Sequence, residues 1–64
     1  MTNLFNNLTF ETAIYQIPNC KLTVTKVNEQ ITETDEYGQV QHYTFSGSIA
    51  EFMKDTYKNA KQIA

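Results

Sequence analysis

The stretch KLTVTKVNEQITETDEYGQVQHYTF, Lys21 to Phe45, decides how this chain folds. Its first seven residues alternate with β-branched side chains at every second position, which predicts a strand from Lys21 to Val27 that continues toward Thr34. The apolar phase changes along the way: Leu22 and Val24 are even, whereas Val27 and Ile31 are odd. A bulge or bend between Lys26 and Asn28 would reconcile the two halves within one strand. Further on, Glu36, Tyr37 and Gly38 fit a three-residue hairpin loop with the glycine in the left-handed position. That loop sets Asp35 opposite Gln39, Glu33 opposite Gln41, Ile31 opposite Tyr43 and Glu29 opposite Phe45. Ile31, Tyr43 and Phe45 then share one face, and Thr32, Thr34, Val40, His42 and Thr44 share the other.

On the C-terminal side, Ser48 and Glu51 have the spacing of a capping box. Ile49, Phe52, Met53, Tyr57, Ala60 and Ile63 follow at three- and four-residue steps, which predicts an amphipathic helix of about four turns lying over the Ile31 face. Glu51 and Asp55 stand toward its start and Lys58 and Lys61 toward its end, as the helix dipole favours. On the N-terminal side, LTFETAIYQIP reads two ways. A helix would be capped by Thr9 and stop before Pro18. A strand would turn at Pro18 and Asn19 and pair Ile17 with Leu22 and Tyr15 with Val24. Thr12, Ile14 and Tyr15 lean toward sheet and the hairpin needs only a short loop, so the strand is preferred. The expected fold class is α+β: a three-stranded antiparallel β-meander followed by one C-terminal helix packed on one sheet face, with residues 1–64 forming a single small domain.

A chain of 64 residues buries only roughly 60% of the surface its unfolded form exposes. Additional stabilisation from a disulfide, a metal or a second subunit is therefore expected. Cys20 is the sole cysteine and has no partner within the chain, which suits a reducing compartment. The opening Met1–Asn7 has neither a basic start nor a long apolar run, and no window approaches a membrane span, so a cytoplasmic location without membrane contact is expected.

The net charge is −2, with five lysines and no arginine. Arginine is the preferred reader of phosphates and guanine edges, and nucleic-acid binders carry basic stripes. Between Val27 and Met53 the charged residues are Glu29, Glu33, Asp35, Glu36 and Glu51, without a lysine, so direct nucleic-acid binding is not expected. The acidic run Glu29, Glu33, Asp35 and Glu36, with Tyr37 at the loop, reads instead as a finger that projects past the helix and docks on a basic groove of a protein partner. Carboxylates on a strand also serve to keep sheet edges apart, which is the plainer role for them.

Chemistry-bearing constellations are thin. His42 falls on the face opposite Glu33, and the acidic run lacks the ligand spacing and central glycine of a calcium loop, so no metal or cofactor is expected. One histidine and one cysteine on separate turns give no nucleophile and base pair, and the isolated glycines make no phosphate cradle. The expectation is a non-catalytic binding protein that forms a homodimer, with Leu4, Phe5, Val40 and His42 as the candidate oligomer interface. The threonine-, asparagine- and glutamine-rich, arginine-free composition suggests a regulator or inhibitor from a phage or other mobile element, including anti-defence proteins. Glu33-Thr34-Asp35 resembles the Glu-Ser-Asp strand of phage uracil-DNA glycosylase inhibitors, with threonine replacing serine. The likeness covers three residues and implies DNA mimicry without assigning the chain to that family. A rival reading is an oligomeric structural or small-ligand-sequestering protein that uses the uncovered sheet face.

Overall fold

The computed structural model describes residues 10–64. They form four meander strands, β1 (Phe10–Gln16), β2 (Lys21–Val27), β3 (Gln30–Asp35) and β4 (Val40–Thr44), then a helix α1 (Ile49–Thr56) and a short strand β5 (Lys61–Gln62). The sheet order is β4-β3-β2-β1-β5, with every neighbouring pair antiparallel.

The meander has four strands rather than the expected three because the phase change after Val27 is a complete reversal, not a bulge. Val27 pairs with Gln30 around the two residues Asn28 and Glu29, and Asn28 takes a left-handed backbone with φ 56. Asparagine tolerates that region better than most residues. A two-residue loop joins an even position of one strand to an odd position of the next, so Leu22, Val24 and Lys26 share a face with Ile31 and Glu33. The same arithmetic governs β1 and β2. Ile17 and Cys20 exchange backbone hydrogen bonds of 2.9 and 3.3 Å around Pro18 and Asn19. Tyr15 consequently meets Leu22 and Ala13 meets Val24. The expected pairing was displaced by two residues, a shift that leaves every side chain on its predicted face.

The β3–β4 hairpin follows the register read from the sequence. Asp35 N–H donates to the Gln39 carbonyl at 3.0 Å, Ile31 faces Tyr43, Glu33 faces Gln41, and Phe45 N–H reaches the Glu29 carbonyl at 2.8 Å. Gly38 has φ 87, the left-handed position the loop requires.

The helix begins as expected. The Ser48 hydroxyl accepts from Glu51 N–H, and the Glu51 carboxylate accepts from Ser48 N–H. It is shorter than predicted, ending at Thr56 with Tyr57 already extended. Beyond Tyr57 the chain turns and returns along β1, where Ile63 N–H donates to the Ile14 carbonyl at 2.8 Å and Ile14 N–H to the Ala64 carbonyl at 3.0 Å. Pairing with an open sheet edge thus outcompetes helix extension through Thr56, Tyr57 and Asn59, all of modest helix propensity. Ala60 and Ile63, assigned to the helix by spacing, lie outside it.

Among the described residues one core results, on one side of the sheet. Ala13, Tyr15, Leu22, Val24 and Ile31 project from the strands to meet Ile49, Phe52 and Met53 of α1. Phe52 packs its ring against Tyr43 and Phe45 at centroid distances of 5.2 and 5.5 Å. Placing a β-branched side chain at the left-handed Asn28 should cost about 1–2 kcal/mol. Urea denaturation is expected to show that loss for Asn28→Val and less than half of it for Asn28→Gly.

Candidate functional site

The five carboxylate and tyrosine positions singled out in the sequence separate into three places. Glu29 lies in the β2–β3 turn, at the far end of β3 from Asp35. The acidic finger is therefore not continuous, and Glu29 stands apart from the rest. Asp35, Glu36 and Tyr37 form the β3–β4 tip. Asp35 Oδ1 accepts from both Tyr37 N–H and Gln39 N–H, each at 2.9 Å, so the side chain holds the loop from inside. Glu36 Oε1 accepts from Lys21 N–H at 2.8 Å and ties the tip to the start of β2. Tyr37, left at the apex, is 72% exposed.

Glu33 behaves differently from the expectation that it stands clear of the body. It is only 4% exposed, because its position on β3 faces the helix side. The Tyr57 hydroxyl sits 2.8 and 2.9 Å from its two carboxylate oxygens and donates its proton between them. Burial pushes the Glu33 carboxyl above the usual carboxylate range, and the Tyr57 hydrogen bond opposes part of that rise. Tyr57 in turn is driven well above the ordinary phenol value, first by burial and then by the Glu33 carboxylate. Glu33, Thr34 and Asp35 accordingly do not present a row of exposed acids, since the first is covered and the last is engaged in its own loop.

Around this pair lies an open groove of about 160 Å³, lined by Cys20, Glu33, Asp35, Gln39, Gln41 and Tyr57 together with apolar neighbours. The Cys20 thiol is held in its protonated form by burial and by the nearby Asp35, Glu36 and Glu33 charges, which disfavours nucleophilic chemistry. Among the described residues, the partners of Glu33, Asp35 and Glu36 are a phenol and three backbone N–H groups rather than lysine ammonium groups. No three His, Cys, Asp or Glu side chains converge on a metal-sized site among the described residues.

His42 and Val40 lie on the open face of β4, where His42 Nδ1 is 3.3 Å from Thr32 Oγ1 and Val40 is 51% exposed. Leu4 and Phe5, the other candidate interface residues, fall outside the described residues. No helix among the described residues is long and apolar enough to cross a membrane.

Sequence reasoning set Gln39 opposite Asp35 and Gln41 opposite Glu33, as the structure has them, but missed Cys20 and Tyr57 as neighbours of the acidic strand. The Tyr57 contact was out of reach, because it depends on where the helix stops. Comparison with protein-family models, curated proteins and solved structures finds no match to this chain.

Because the folded state raises the Glu33 pKa, the buried charge opposes folding above that pKa, and this effect fades as pH falls through it toward the unfolded value. Tyr57→Phe should therefore cost about 1–3 kcal/mol above the Glu33 pKa, where it strips a charged carboxylate of its donor, and roughly 1 kcal/mol or less below it, where Glu33 is protonated. Urea denaturation across that range, with the Glu33 carboxyl followed by NMR, should show the mutant cost shrinking with acidity and the Glu33 titration moving further up.

Proposed function

We propose that this chain is a non-catalytic binding protein that docks the tip of its β3–β4 hairpin on a basic site of another protein. The observation that carries this reading is Tyr37, an aromatic side chain 72% exposed on a loop fixed by two hydrogen bonds to Asp35. An aromatic carried on an already ordered loop spares the backbone share of the entropy lost on binding, and such residues dominate interface energetics. Glu36 stands beside it, and Asp35 and Glu33 line the groove behind it. This end of the molecule suits a surface of lysine and arginine side chains, with carboxylates where nucleic-acid phosphates would otherwise sit. Nucleases, glycosylases and other nucleic-acid enzymes carry such surfaces, so inhibition of one of them, as by a phage or mobile-element protein, is the function in view.

The docking reading gives the tip two separable contributions. Tyr37 supplies contact energy, whereas Glu36 steers encounter and acts mainly through the association rate. Affinity capture from a bacterial host lysate on immobilised protein, followed by kinetics on the captured species, tests this. Tyr37→Ala should weaken binding by about 30-fold, as loss of a central aromatic anchor does. Glu36→Gln should slow association and flatten its salt dependence. A captured partner indifferent to both substitutions and to salt would refute the tip as the docking site.

A further inference from the structure

The two sides of the sheet end differently. Beside β1, the two residues of β5 and the backbone of Ile63 and Ala64 close the second half of the strand, and Glu11 lies on the first half. Among the described residues nothing lies beyond β4, which ends the sheet order. Natural sheets guard such an edge with a charge, a proline, a bulge or a very short strand. The β4 sequence VQHYT has five residues, with no proline, lysine or carboxylate. Its backbone phase is also fixed. Gln39 and Phe45 direct backbone groups toward β3, so the odd positions between them do the same. The N–H and C=O groups of Val40, His42 and Thr44 therefore point outward.

We infer that β4 is a homodimer edge, on which β4 of a second copy pairs antiparallel about a two-fold axis at His42. The choice of a second copy rests on self-complementarity. Val40 and Thr44 lie symmetrically about His42, so in this register each outward N–H and C=O of one strand meets its counterpart on the other. Val40, a β-branched residue, stands across from Thr44, and His42 stands beside the partner's His42. On the helix side Gln41 stands across from Tyr43, and within one chain the Tyr43 hydroxyl already donates to Gln41 Oε1 at 2.7 Å. A neutral strand lets two copies of an acidic chain approach without like charges meeting. The helix lies mainly over β1 and β2, and its Phe52 ring reaches Tyr43 of β4. Pairing here produces one continuous sheet and leaves both hairpin tips free, at opposite ends of the seam. The inference is independent of what those tips bind.

Sedimentation equilibrium or light scattering from low micromolar to millimolar protein reads the assembly directly. The expected result is a concentration-dependent dimer. His42→Lys, which sets two ammonium groups against each other at the axis, should weaken dimerisation at least about tenfold. Thr44→Pro, which removes an outward N–H not used in the chain's own sheet, should do the same. Thr23→Lys, on the same sheet face but two strands inward, should leave the dimer intact. Circular dichroism identifies any variant that fails to fold, and the other edge variant then decides. A protein monomeric at every concentration would overturn the inference. So would a dimer broken by Thr23→Lys but not by a folded edge variant.

Discussion

The two-residue reversal at Asn28 and Glu29 constrains everything that follows it in the chain. Because it couples even positions of β2 to odd positions of β3, it sets which side chains of the later strands face the helix and which face away. Val24 and Ile31 become fully buried neighbours under α1, and Val27 is left on the open side. One more residue in that loop would turn the Ile31 and Glu33 face outward and leave the helix stripe without a surface to cover. The described residues form one core cluster, so the turn specifies the fold as much as any apolar contact does.

The same parity places Glu33 beneath the end of the helix. A carboxylate on the core side of a strand carries a desolvation penalty unless a donor reaches it. Tyr57 reaches it because the helix ends one residue earlier and the chain continues in an extended conformation. Helix termination and the buried acid are thus one arrangement: the phenol satisfies the acid, and the acid draws in the segment that carries the phenol. The groove beside them is lined by Glu33 and Asp35. It opens on the same end of the molecule as Tyr37, which gives the proposed docking end both an aromatic anchor and an acidic floor.

Much of this was legible in local sequence. The capping box, the three-residue loop at Gly38 and the register from Ile31 to Tyr43 all follow from short-range rules that the structure obeys. Non-local competition was not legible. The strand through Lys26 to Asn28 read as continuous because alternation can be rescued by a bulge as well as by a turn, and only Asn28 hints at the difference. Helical spacing of Ala60 and Ile63 with Phe52 and Met53 was genuine, yet the open edge of β1 claimed that segment instead. The register already set Glu33 on the Ile31 face, but how far cover reaches along that face depends on Tyr57, beyond the helix end, which short-range rules do not place. That is why Tyr37 and Glu36 stand at the surface as expected while Glu33 does not.

The return of Lys61–Gln62 to β1 has a kinetic side. The meander strands zip between sequence neighbours, each closing a loop of only two or three residues, whereas β5 must find a strand from the opposite half of the chain. Contacts of such long sequence separation form late and open early, since their closure entropy is repaid by few bonds. Transient detachment of β5 and the residues after it would bare the backbone of Ile14 and Gln16 while the meander and the Asn28 reversal stayed in place. The Ile14 and Gln16 amides should therefore exchange faster than the hydrogen-bonded amides of β2 and β3, so that the fold loosens at this flank before it opens as a whole.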